Sequence, residues 1–99
     1  MADEQPLRER LQEDLLDSTP WEALRLHVEK GTVLLVHQLD LIDVAEAFAL
    51  DDAATVGSWL ESEQIQRPTP AQQASFQAEQ RTFRAVIVQP WVLIQAIVH

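Results

Sequence analysis

A chain of 99 residues with 16 acidic and 7 basic side chains carries a formal net charge of −9, which sets it against phosphate backbones and anionic membranes. Its length leaves room for one hydrophobic core, and 46% hydrophobic with 23% charged residues is the balance of a folded chain rather than a disordered one. With no cysteine, neither a disulfide framework nor a thiolate metal site is open to it.

The first residues, MADEQPLRERLQEDL, are charged where an export signal needs an apolar stretch, so a cytoplasmic address is expected. Leu7, Leu11 and Leu15 recur at four-residue spacing among charged neighbours, the pattern of an amphipathic first helix. Asp17-Ser18 should end it. Thr19-Pro20-Trp21-Glu22 then combines a Thr cap, a proline at the first helical position and a Glu able to reach back, which predicts a capping box and a second helix over residues 20–29. Trp21, Leu24 and Val28 share one face of it, and Lys30-Gly31 is its stop.

The apolar run at residues 32–36 is the first expected strand, with His37-Gln38 as its exit. Asp40 should cap a third helix with Leu41, Val44, Ala45 and Phe48 on its buried stripe. After the break at Leu50-Asp51-Asp52, either Asp51 or Asp52 should cap a fourth helix carrying Ala53, Val56, Trp59 and Leu60 on one side. A short strand is placed at residues 65–67. Thr69-Pro70 repeats the Thr-Pro helix start, opening a weakly amphipathic fifth helix to about Gln80 with Ala71, Ala74 and Ala78 on one side and Phe76 on another.

The chain then closes on VIVQPWVLIQAIVH, residues 86–99. A membrane helix needs about 20 consecutive apolar residues, and this run is shorter and interrupted by Gln89, Pro90 and Gln95. Its many β-branched residues predict two strands bent at Gln89-Pro90. Their near-continuous apolarity implies cover on both faces. The last strand, residues 91–98, is expected at or near a sheet edge, covered by a helix or paired with a second copy about a two-fold axis. Residues 1–99 are thus expected to form a single α+β domain, about five short helices covering a sheet of three to four strands.

PWEAL (20–24), GTVLLV (31–36), LDLIDVAEAFALDD (39–52), SWL (58–60) and RAVIVQPWVLIQ (84–95) together resemble a family of short acidic bacterial proteins catalogued only as a domain of unknown function. The likeness runs over nearly the whole chain and is most specific in the LDL…VA.AFA.DD block and in PWVLIQ. It implies a stand-alone soluble bacterial protein, and it implies no chemistry.

Oxygen-ligand cations need several converging carboxylates, so Asp40, Asp43, Glu46, Asp51 and Asp52 are the candidates, with His37 nearby. Helix capping and a solvated face account for the same residues. A divalent-cation site requires Asp40 and Asp43 to converge with Asp51 and Asp52 across the helix end. The spacing of His27 and His37 fits no zinc signature. No nucleophile elbow occurs, and two glycines, Gly31 and Gly57, leave no phosphate-cradling loop. Trp21, Trp59 and Trp91 suit a core or the wall of a pocket.

The leading expectation is a non-enzymatic interaction or regulatory module that self-associates, with Trp91, Leu93, Ile94 and Ile97 as interface candidates. The alternative is a small-molecule or divalent-metal-binding module, possibly enzymatic, built on the Asp40, Asp43, Asp51 and Asp52 region. A third reading is an acidic protein that mimics nucleic acid or docks on a basic partner. No cofactor, nucleic-acid or membrane partner is expected.

Overall fold

The computed structural model describes residues 6–96. The elements follow in the order α1 (Leu7–Asp14), β1 (Leu16–Pro20), α2 (Trp21–Glu29), β2 (Val33–Val36), α3 (Leu41–Ala49), α4 (Ala53–Glu61), β3 (Ile65–Gln66), α5 (Pro70–Glu79), β4 (Thr82–Val88) and β5 (Trp91–Ala96). The strands form one sheet in the order β1-β4-β5-β2-β3. Strands β2 and β5 run parallel; every other neighbouring pair is antiparallel. The fold is therefore α+β, with five helices and a five-stranded mixed sheet among the described residues.

Alternation along the strands builds two cores, one on each face of the sheet. Val33, Leu35, Phe83, Ala85, Val92 and Ile94 join Trp21 and Leu24 of α2, with Phe76 of α5 packed against them. Leu34, Val36, Ile65, Val86 and Leu93 join Leu11 of α1 and Leu41, Ile42, Val44 and Ala45 of α3, with Trp59 of α4 leaning on that cluster. Both faces are covered, as the apolarity of residues 86–96 demands. The bend lies where proline was expected to put it, with the Gln89–Pro90 peptide cis.

The position of β5 corrects the sequence reading. Its Leu93 is paired with Val86 of β4 on one side and with Leu34 of β2 on the other, so β5 is an interior strand. No edge remains there for a second copy to pair with. A strand apolar on both faces belongs in the middle of a covered sheet, and the parallel partner β2, 59 residues earlier in the Val33↔Val92 pairing, leaves no local signal. Residues 97–99, including Ile97 and Val98, lie outside the described residues.

The strand count also rises from the expected three to four, because Leu16–Pro20 is a strand and not the end of the first helix. Asp17, Ser18 and Pro20 are poor strand formers. They are recruited because β4 would otherwise leave a row of backbone groups without partners, and Thr19 pairs with Phe83 while Pro20 pairs with Thr82. Both true edges are blunted against further pairing. β1 carries an irregular register between Leu16 and Thr19 and ends on proline, and β3 is two residues long.

Candidate binding groove

Beyond the end of α3 the helical layer opens. Asp51 turns the chain with a φ of 55°, in the left-handed region that Asp tolerates better than most residues. Asp52 then caps α4: its carboxylate accepts hydrogen bonds from the Thr55 amide at 3.3 Å and the Thr55 hydroxyl at 2.8 Å. The sequence assigned Val56, Trp59 and Leu60 to one apolar side of α4, and the structure divides them. Trp59 leans on the core, whereas Val56 and Leu60 face a groove, and no residue of α4 is buried.

The groove encloses about 610 Å³ and is lined by Leu34, Ala47, Phe48, Val56, Leu60 and Trp91, with Asp51, Asp52, Ala53 and Arg67 completing it. Leu34 contributes from β2 and Trp91 from the first residue of β5, where the Phe48 and Trp91 rings meet at 6.1 Å with planes 59° apart, a favourable tilted arrangement. Arg67 follows β3, and its guanidinium carbon lies 3.9 Å from the point where a side chain on Gly31 would begin. Gly31 itself has a φ of 74°, the left-handed turn that ends α2 and that glycine adopts without strain. The volume falls within the range of ligand clefts, about 300–1,000 Å³. Two other clefts, of about 460 and 530 Å³ on the opposite helical layer, are lined by Gln, Glu and Arg as well as by apolar side chains.

The carboxylates singled out from the sequence are dispersed. Asp40 caps α3, accepting from the Ile42 amide at 2.8 Å and the Asp43 amide at 3.3 Å. Asp43 is exposed and pairs with Arg8 of α1 at 2.6 Å, and Arg8 reaches Glu46 at 3.5 Å. Chiefly through the hydrogen bond to Asp43, these partners raise the guanidinium pKa above its ordinary value. Asp51 and Asp52 lie at the groove instead. His37 is hydrogen-bonded to the Gln66 side chain at 3.0 Å. Among the described residues no group of three or more His, Asp or Glu side chains is placed to hold a metal ion. That dispersal follows from local partners: Asp40 and Asp52 are claimed by amides of their own helix starts and Asp43 by Arg8, before they can converge on a shared point.

Of the interface candidates, Trp91 is half-buried in the groove wall. Leu93 and Ile94 are 0% exposed and present no surface in this fold, and Ile97 lies outside the described residues. The sequence reading missed the groove as a unit. Its signal was an α4 stripe broader than one core contact needs, set behind the Asp51-Asp52 break. No helix among the described residues is long and apolar enough to cross a membrane.

The fold is similar to the NMR solution structure of PA1075 from Pseudomonas aeruginosa, with a TM-score of 0.80 and 31% sequence identity over 100% of this chain and 93% of that one. No curated protein matches the chain. The sequence profile of the family described as "Protein of unknown function (DUF2288)" matches residues 6–96, and the chain belongs to that family.

Proposed function

We propose that this protein is a non-catalytic binding module and that the groove between α3, α4 and the β2–β5 pair is its working surface. The observation that carries this reading is the groove itself: about 610 Å³ walled by Leu34, Phe48, Val56, Leu60 and Trp91, an apolar concavity on the flank of the core to which Leu34, Phe48 and Trp91 also belong. Apolar surface gathered into a concavity of this size and left open to solvent forgoes burial, and such concavities ordinarily mark binding sites. A module that works by recognition also accounts for carboxylates used as helix caps and ion-pair partners. Self-association by extending the sheet finds little support, since β5 is interior and both edges are blunted. A small apolar molecule is the second reading, favoured by the same volume.

The test is binding of the neutral dye N-phenyl-1-naphthylamine, read as its fluorescence gain and as quenching of Trp91. Leu60→Glu, at the groove, should abolish both signals with the circular dichroism unchanged. Leu26→Glu, at a leucine 70% exposed on α2, should leave them intact. Equal behaviour of the two variants, or no dye binding by the parent protein, sinks the reading.

A further inference from the structure

Resting on the groove as the binding surface, we propose that its natural occupant is an amphipathic helix of a partner protein, with an apolar stripe flanked by Lys or Arg. Charge is distributed very unevenly along this chain. Residues 31–66 hold seven Asp or Glu and no Lys or Arg, whereas the remaining residues hold nine acids against seven bases. Seven of the nine net negative charges therefore fall on the stretch that supplies β2, α3, α4 and β3, the elements around the groove.

Three of those seven acids are engaged elsewhere: Asp40 by the α3 amides, and Asp43 and Glu46 by Arg8. The other four bracket α4. Asp51 and Asp52 stand immediately before it, Glu61 is its last residue and Glu63 follows, all four exposed. A nine-residue helix is about 13 Å long, so α4 carries negative charge at both ends, Asp51 and Asp52 within the groove lining and Glu61 and Glu63 beyond it, with Val56 and Leu60 between. Leu50, 65% exposed, and Leu60, 47% exposed, carry the apolar surface out of the groove onto that rim. An apolar stripe of i, i+3, i+4, i+7 spacing with basic flanks complements this arrangement in shape and in sign. Arg67 is the one base in the lining and has no acidic partner within 4 Å among the described residues. Against it stand Asp51 and Asp52 in the lining, with Glu61 and Glu63 at the far end of α4, an excess of negative charge that disfavours anionic occupants.

The experiment titrates the full chain with a synthetic helical peptide of Leu and Lys, about four turns long, alongside its charge-reversed counterpart of Leu and Glu. Trp91 fluorescence and calorimetry follow binding, and the neutral dye serves as a reference for the groove. The Lys peptide should bind, weaken about tenfold as salt is raised from roughly 0.05 to 0.5 M, and displace the dye; the Glu peptide should do none of these. Neutralising the rim in the Asp51→Asn, Glu61→Gln, Glu63→Asn variant should weaken the Lys peptide about five- to tenfold, and Arg67→Gln should tighten it. Leu60→Glu discriminates most sharply, because it adds negative charge while spoiling the apolar wall. Loss of the Lys peptide in that variant supports the proposal, and unchanged or tighter binding overturns it as diffuse attraction. Equal binding of the two peptides, or binding of the dye with neither peptide, overturns the partner assignment while leaving the groove as a binding surface. Failure of the dye itself removes the underlying reading.

Discussion

Thr19-Pro20-Trp21-Glu22 and Thr69-Pro70-Ala71-Gln72 open two helices with the same kind of local sequence, yet only the second is a capping box. There the Thr69 hydroxyl accepts from the Gln72 amide at 3.1 Å, and the Gln72 side chain accepts from the Thr69 amide at 2.9 Å. In the first, Thr19 is drawn into β1 opposite Phe83, α2 begins from Pro20 with no side-chain cap, and the Trp21 amide donates to the Arg81 carbonyl at 3.0 Å. A signal that a peptide would obey is thus overridden where a strand edge competes for the same backbone. The two helices are consequently held by different forces. α2 is anchored by Trp21, 4% exposed, within an aromatic cluster. α5 buries no residue fully; it joins the same cluster through Phe76 and adds the capping box at its start.

The comparison breaks most visibly at Phe83. This ring is 0% exposed and lies 5.9 Å from Trp21 and 4.9 Å from Phe76, so it ties the start of α2 and the middle of α5 to β4. Phe83→Ala should cost about 3–5 kcal/mol, the usual worth of a buried aromatic, read as a fall in the urea midpoint. A cost under about 1 kcal/mol would mean that α2 is held by its backbone contacts and not by the cluster.

Thr69→Ala comes next. It removes a hydroxyl that satisfies an otherwise orphaned helix amide, so about 1 kcal/mol should be lost. The same denaturant series measures it. A silent substitution would show that Pro70 and the Gln72 side chain suffice to start α5.

How much of the molecule could be read in advance follows the same division between local and distant causes. The cap at Asp40, the cap at Asp52, the Thr69 box and the cis bend at Gln89–Pro90 are decided by residues within a few positions, and the sequence reading places a helix start or a bend at each. The short strand expected at residues 65–67 is found as Ile65–Gln66. By contrast, β1 is written in Leu-Asp-Ser-Thr-Pro, residues that become a strand because β4 lies beside them. The interior place of β5 depends on its parallel pairing with β2, for which apolarity gives the burial but not the neighbour. The groove is illegible for the same reason: Leu34, Phe48, Val56, Leu60, Arg67 and Trp91 come from separate elements, and only the uneven charge of residues 31–66 was open to inspection along the chain.

Thr19→Ala sharpens the contrast from the other side. Read locally, Thr19 should be worth as much as Thr69. In β1 its hydroxyl caps nothing, and what is lost is only the fit of a β-branched side chain on a sheet edge. The expected cost is under about 0.5 kcal/mol. A loss equal to that of Thr69→Ala would restore a capping role to the first start and overturn the assignment of α2 to its tertiary anchor.

The smallest effect lies where the end of α5 meets the start of α2. Glu79 closes α5 and pairs with Arg81 at 2.7 Å, and the Arg81 carbonyl receives the first amide of α2. The hydrogen bond from Arg81, and then that from the Ser75 hydroxyl, hold the Glu79 carboxyl below its ordinary pKa. A carboxyl whose pKa is lower folded than unfolded binds fewer protons in the native state, so its contribution is present at neutral pH. That contribution is lost as pH falls from the ordinary carboxylate range through the lowered native value. Comparing melting temperatures of the parent and Glu79→Gln across that range should show a small advantage for the parent at neutral pH that closes on acidification. Raising salt should shrink it too, since both partners are solvated. A difference that stays constant with pH would mean that Glu79 acts through packing at the end of α5 and not through its charge on Arg81.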